Sequence, residues 1–188
     1  MADFGANDPC RRSSKVTMRR QAIWKGAVAG AVGGLVGAWT MNQAHAAISK
    51  LKKQSNGPSQ SGGDSAESGE SEDATMKVAG KTFKVVAGRQ LSHEQKKKAG
   101  PVVHYAMGAA MGAAFGAVSE TQRRLTPVAG PIFGSAVFVA ADEIGVPLAG
   151  LSGPPTSYPI SSHLEALAAH LVYGVTADLV RRGVRAAL

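Results

Sequence analysis

The chain has 188 residues, with 21 Lys or Arg against 13 Asp or Glu and a formal charge of +8. Its length suits one ordinary domain, and its mean hydropathy near zero looks soluble until the charges are mapped. The single cysteine, Cys10, excludes an intrachain disulfide and a thiolate metal cluster. The basic residues sit at the ends of apolar segments with almost no aromatics among them, which speaks against a nucleic-acid partner.

Residues 26–49, 101–119 and 125–141 contain no Asp, Glu, Lys or Arg, whereas 49–100 holds ten Lys/Arg and six Asp/Glu. A bilayer imposes such segregation, because a charge at its centre costs on the order of 3 kcal/mol on insertion scales. The expected class is therefore an all-α integral membrane protein with about four transmembrane helices and small-residue Gly/Ala packing faces.

Residues 1–20 form a polar tail rich in Arg and Lys, with Lys25 just beyond it. The first transmembrane helix is predicted over 24–48, long enough to cross roughly 30 Å of hydrocarbon. Gly26, Gly30 and Gly34 repeat every fourth residue, with Gly33 and Gly37 beside them, a spacing that lets another backbone approach closely. Within this region TMRRQAIWK loosely resembles a twin-arginine export signal, and Ala44-His45-Ala46 resembles a cleavage site. That opens an alternative in which the protein is exported after removal of its first segment. The apolar run is longer than the roughly 7 to 15 residues of a signal core.

Residues 49–91 read as a polar linker. Ser and Gly dominate 54–74, a composition that cannot bury a core. Over 75–88, Met76, Ala79, Phe83, Val86 and Ala87 share one side of a helical wheel, and Lys77, Lys81 and Lys84 share another. This suggests a short helix lying on a lipid surface, with a loop or short strand as the competing reading.

The region 92–188 is expected to hold three further helices. Ser92 and Gln95 form a capping box that starts a helix running into the span 101–119, kinked at Pro101. Here Gly108, Gly112 and Gly116 repeat the four-residue spacing, so the two glycine faces meet each other or a second copy of the chain. The third span is predicted over 125–141, with Pro127 and Pro131 in its first turns and Asp142 and Glu143 ending it. An uncharged loop rich in Pro and Gly follows, and then the fourth span, 163–180, closed by Arg181, Arg182 and Arg185. Basic residues precede the first helix, occupy the second turn as Arg123 and Arg124, and follow the fourth helix. The loop between the third and fourth helices has none. This distribution predicts a multi-pass inner-membrane protein with both ends in the cytoplasm, although Lys50, Lys52, Lys53 and Lys96 to Lys98 then lie outside.

Ionisable groups beside membrane helices must find a partner or water, so they are the candidate functional residues. On the fourth helix His163, His170 and Asp178, with Gly174, make one stripe that faces the bundle, and Tyr173 sits beside it. His104, Asp142, Glu143 and Glu165 fall at a similar depth to His163. Such a cluster could act as a proton relay, a pH sensor or a divalent-metal site. The plainer reading is a set of interhelical hydrogen bonds and helix-end charges. No metal-binding, nucleotide-binding or nucleophile-elbow motif is present, and Ser161 and Ser162 lack a strained turn, so no enzyme activity and no cofactor are expected.

Pro147-Leu148-Ala149-Gly150-Leu151, Pro154-Pro155, Pro159, His170 and Arg181-Arg182, preceded by a glycine-rich helix bearing His104, resemble the YagU-like family of small bacterial inner-membrane proteins. The resemblance covers about residues 98–185 and implies a multi-spanning membrane protein without an assigned reaction. It carries over to His104, the proline loop and His170 only. The leading expectation is a non-enzymatic, self-associating envelope protein whose partner is the lipid bilayer. A small transporter or channel component, with the fourth-helix stripe lining a polar path, is the alternative.

Overall fold

The computed structural model describes residues 9–55, 77, 80, 92–121 and 128–188, and the described residues are helical with no strand among them. Helix α1 spans Pro9–Ser55, α2 His93–Thr121 and α3 Ala129–Val137. The third helix then continues through a π-helical segment, Phe138–Gly145, and a last α-turn, Val146–Leu148. After a 3-10 turn at Pro155–Ser157, helix α4 runs from Ile160 to Ala187. Three helical segments are long and apolar enough to cross a membrane, Ala22–Lys52, His93–Thr121 and Ala129–Leu148. Helix α4 has the length, at 28 residues, but its Asp178, Arg181 and Arg182 interrupt the apolar run.

Helix α1 is the axis of the assembly. A Cβ placed on Gly26, Gly30 or Gly34 would overlap the backbone of Gly116, Gly112 and Gly108 in that order, so α1 and α2 run antiparallel with their backbones touching. The two glycine faces legible in the sequence thus meet each other within one chain. Residue 33 lies about 100° around the helix from residue 34. Gly33 accordingly faces a different neighbour, the Ala177 backbone of α4, while Gly37 makes room for the Tyr173 ring. On the far side of α4, Gly130 and Gly134 of α3 lie against Gly174 and His170. Up-down-up-down antiparallel order follows, with α2, α1, α4 and α3 arranged in sequence around the bundle. The ring is not closed, because α2 and α3 touch only sparsely and the stacked rings of Phe115 and Phe133, 4.3 Å apart, bridge them.

The interior is made of small residues. Ala29, Ala38, Ala169 and Ala177 are essentially inaccessible, and among the described residues no large side chain is fully buried. Large apolar side chains lie outside instead, with Trp24, Trp39, Val102, Ile132, Leu164 and Leu179 each more than half exposed, while His170, Asp178 and Arg181 are buried. A water-soluble domain distributes these residues the other way round.

Local signals act as their chemistry requires. Gln95 N–H donates to Ser92 Oγ at 3.3 Å and Ser92 N–H to Gln95 Oε1 at 3.0 Å, so the capping box forms at the start of α2. Pro101 is accommodated inside α2. The third helix differs from expectation at its end. It does not stop at Asp142 and Glu143 but carries both through the π-helical turns to Leu148, because each acid finds a partner on α4. Of the expected linker 49–91, residues 49–55 belong to α1, while 56–76 and most of the expected surface helix 75–88 lie outside the described residues.

Substituting Gly112 by Leu should drive α1 and α2 apart, costing about 1 to 3 kcal/mol by the usual cost of overpacking. Gly183, whose added Cβ would meet nothing within 4 Å, should accept Ala without loss. Thermal unfolding of both variants in detergent, against the parent, measures the difference.

Candidate functional site: a histidine-lined cavity between the helices

A cavity of about 400 Å³ lies toward the end of the bundle opposite the chain termini of α1 and α4. Every helix contributes to its wall: Asn42 and His45 from α1, His104 from α2, Asp142 from the π-helical segment, His170 and Tyr173 from α4. The methionines Met41, Met107 and Met111 are part of its apolar lining, with Val137 and Val146. Among the described residues that line it, Asp142 is the one carboxylate and none is Lys or Arg.

His170 is fixed by its own helix. Its Nδ1 lies 2.9 Å from the Ala166 carbonyl, which can only accept, so Nδ1 carries the proton and donates. Asp142 Oδ2 is 3.7 Å from the same nitrogen, too far for a full hydrogen bond. The carboxylate is therefore adjacent to the imidazole without being neutralised by it. His104 contributes differently: its buried Nε2 has no hydrogen-bond partner among the described residues, while its ring packs edge-on to Tyr105 at 5.7 Å. Asn42 reaches Tyr105 Oη at 3.3 Å.

Toward the other end the cavity is sealed. Tyr173 donates to the Gly108 carbonyl at 2.7 Å, packs on Phe133 at 5.6 Å, and Phe133 stacks on Phe115. Below this aromatic floor, the Thr40 hydroxyl bonds the Gly37 carbonyl and the Thr176 hydroxyl at 2.9 and 3.2 Å, tying α1 to α4.

Glu143 and His163 form a separate pair under the proline loop. His163 Nδ1 is 2.6 Å from Glu143 Oε1 and Nε2 is 3.1 Å from the Pro155 carbonyl. Both ring nitrogens face acceptors, and a ring that donates from both is an imidazolium, which the carboxylate balances. The loop itself is held by Ser157 Oγ on the Pro154 carbonyl at 2.6 Å, by Gly153 N–H on Tyr158 Oη at 3.2 Å, and by Gly150 at a φ of 63°, where a side chain would be strained. Lys77 Nζ donates to the Leu151 carbonyl at 2.7 Å.

Two predicted site residues go elsewhere. Glu165 pairs with Lys52 near the C-terminal end of α1. Asp178, although on the inward stripe of α4, is buried at the terminal end and bonded to Arg181 at 2.6 Å and Arg182 at 2.7 Å. Arg181 also lies over the Phe115 ring at 5.3 Å, and Arg185 bonds Glu120 at 2.6 Å. The hydrogen bonds to Asp178 and Glu120 hold the Arg182 and Arg185 guanidinium groups above their usual pKa. His104, Asp142, His170 and Tyr173 are thus brought together, Glu143 and His163 stand next to them, and Glu165 and Asp178 do not join. His45 and Asn42 complete the wall and were not foreseen as site residues, although both continue the inward face of Gly34 and Ala38. No three His, Cys, Asp or Glu side chains converge closely enough to hold a metal ion among the described residues.

No family model matches the chain, and neither the curated proteins nor the solved structures give a match.

Asp178→Asn should destabilise the bundle by about 3 to 5 kcal/mol, because it leaves the buried Arg181 guanidinium uncompensated. The double replacement Asp178→Leu with Arg181→Met should recover most of that loss. Melting temperatures of the single and double variants in the same detergent test the coupling, and independent, additive losses would contradict it.

Proposed function

We propose that the chain is a non-enzymatic integral protein of the bacterial inner membrane that crosses the bilayer four times, with both ends in the cytoplasm. In this reading the histidine-lined cavity is a binding site in the outer half of the membrane. The observation that carries it is the inverted distribution of side chains. Trp24, Trp39, Ile132 and Leu179 face outward, while His170, Asp178 and Arg181 are turned inward. In hydrocarbon, that arrangement hides the costly groups His170, Asp178 and Arg181 and leaves apolar surface for lipid.

Helix α4 belongs with the three apolar helices on the same argument. Its charges do not face outward in mid-span; Asp178 and Arg181 neutralise each other inside, against α1 and α3. The orientation rests on geometry as well as charge. Antiparallel packing brings the start of α1, the end of α2, the start of α3 and the end of α4 to one end of the bundle, and the basic tail, the Arg123-Arg124 turn and Arg182 and Arg185 belong to those ends. Positive charge in short connections favours the cytoplasmic side. The likeness of residues 98–185 to the YagU-like family points to the same location.

The competing readings lose support for physical reasons. An exported protein cut after Ala46 would lose the helix on which both α2 and α4 pack, and α1 runs unbroken through that position. A conducting path would need water along the α4 stripe, but Tyr173, Phe133 and Phe115 close the bundle below His170, and Asp178 is engaged by two arginines. Self-association through the glycine rows is less favoured, because α2 fills the Gly26, Gly30 and Gly34 face within the chain. A metal-responsive role for the cluster has no third convergent ligand among the described residues.

In a Cys10→Ser background, Ser157→Cys should react with a membrane-impermeant maleimide on intact cells. Gln122→Cys should react only after permeabilisation. The reverse pattern overturns the orientation, and release of the chain by a detergent-free alkaline wash overturns the membrane assignment itself.

A further inference from the structure

We infer that the cavity takes the ring of a lipid-soluble hydroquinone, whose two hydroxyl groups meet the imidazoles of His170 and His104. This deepens the preceding reading and rests on it, since a ligand dissolved in the membrane reaches the site only where lipid surrounds the bundle.

The two imidazoles set the requirement. His170 is only 6% exposed, and its Nδ1 proton is committed to the Ala166 carbonyl at 2.9 Å. A neutral ring protonated at Nδ1 has its lone pair at Nε2, on the edge turned away from its own helix. The cavity wall therefore carries a hydrogen-bond acceptor, and a donor satisfies it. His104 lines the same cavity, and its buried Nε2 has no hydrogen-bond partner among the described residues. A buried polar atom left unmatched is costly, so an occupant that bonds it is favoured. A hydroxyl both donates and accepts, which suits His104 in either tautomer as well as the acceptor of His170. Because the two rings stand on different helices, α2 and α4, one ligand that meets both needs a hydroxyl for each.

The rest of the wall selects an aromatic frame for those hydroxyls. Met41, Met107 and Met111 offer thioethers, which pack well on the edges of aromatic rings. Tyr173 spends its hydroxyl on the Gly108 carbonyl and so presents its ring to the cavity. Water also bonds imidazoles, but filling about 400 Å³ takes on the order of ten molecules at liquid density, and Met107, Met111, Val137 and Val146 give them nothing to bond. An anionic headgroup fits poorly, since none of the described lining residues is Lys or Arg. A hydroquinone is uncharged near neutrality, because phenolic hydroxyls ionise only near a pKa of about 10.

The packing supplies the entrance. The α1–α2, α1–α4 and α4–α3 seams are closed by glycine contacts, whereas α2 and α3 meet sparsely, held by the Phe115–Phe133 stack. Where the cavity meets that seam its walls are Met107 and Met111 of α2, both more than a third exposed, and Val137 and Ala141 on the facing helix. An apolar ring arriving from the acyl chains passes these side chains before its hydroxyls reach the imidazoles.

The test compares tetramethylhydroquinone, kept reduced without oxygen, with two molecules of similar shape that lack its hydroxyl protons, its dimethyl ether and tetramethylbenzoquinone. Binding to the full-length protein in neutral-lipid nanodiscs is measured by equilibrium dialysis against empty nanodiscs. Saturable one-to-one binding of the hydroquinone is expected, at least about tenfold tighter than either control. His170→Phe and His104→Phe, which keep a flat ring and remove its nitrogens, should each weaken it about tenfold or more. The comparison of probes on the parent protein decides the matter if neither variant folds. Equal binding of the hydroquinone and either control, or unchanged binding in a folded His170→Phe or His104→Phe protein, overturns the inference. A lack of saturable hydroquinone binding overturns it too. Such a failure in a chain that resists alkaline extraction sinks the hydroquinone site alone, whereas extraction without detergent sinks the membrane reading beneath it.

Discussion

Backbone-to-backbone contact along α1 is the constraint on which the rest of the structure depends. In the bilayer setting proposed above, lipid tails are as apolar as the helices, so burial of apolar area gives little force between helices, and close van der Waals packing must supply it. Gly26, Gly30 and Gly34 allow α2 to approach on one face of α1, and Gly33 and Gly37 allow α4 to approach on another. The two faces are about 100° apart, which sets the angle between α2 and α4 around the axis. With α3 held by α4 through Gly130, Gly134 and Gly174, nothing comparable joins α3 to α2. The open seam is therefore a consequence of where the glycines lie.

Close packing also decides where polar groups can live. Near the chain termini the charges are paired directly: Asp178 with Arg181 and Arg182, Glu120 with Arg185. Farther along, the Tyr173 ring packs against α1 at Gly37, and beyond it the helices enclose the cavity. That ring thus forms a partition at one end of the cavity. Its hydroxyl is satisfied by the Gly108 carbonyl, so the partition carries no unpaired polar atom.

Much of this was legible in residue order, and the part that was not has a physical cause. The four-residue glycine spacing announced close approach, and the lack of charge over 26–49, 101–119 and 125–141 marked the apolar segments. Pairing between faces was not readable, because a glycine row specifies an allowed distance and not a partner. His45 was hidden inside what looked like a cleavage motif, although its place three residues after Asn42 and seven after Ala38 follows the inward face of α1. Glu165 looked like a member of the cluster because its depth was right, but only its direction around α4 sends it to Lys52. Asp178 had its answer nearby in sequence, since Arg181 and Arg182 stand at the third and fourth positions after it, where helical side chains meet.

The misread end of the third helix exposes the general difficulty. Two adjacent acids after an apolar run ordinarily end a span, since each would need water. Here the chain keeps hydrogen bonding through them by widening to a π-helix, where the Val146 N–H reaches back to the Ala141 carbonyl. The wider turn carries Asp142 toward His170 and Glu143 toward His163, two residues that lie seven apart on the facing helix. Neighbouring acids are thereby given different surroundings. Glu143 is held under the proline loop against His163, and Asp142 lies on the cavity wall beside His170. A regular α-helix would place the residues after Ala141 at different angles and disturb this division. The π-helical turns are accordingly what sets one carboxylate under the loop and its neighbour on the wall of the cavity.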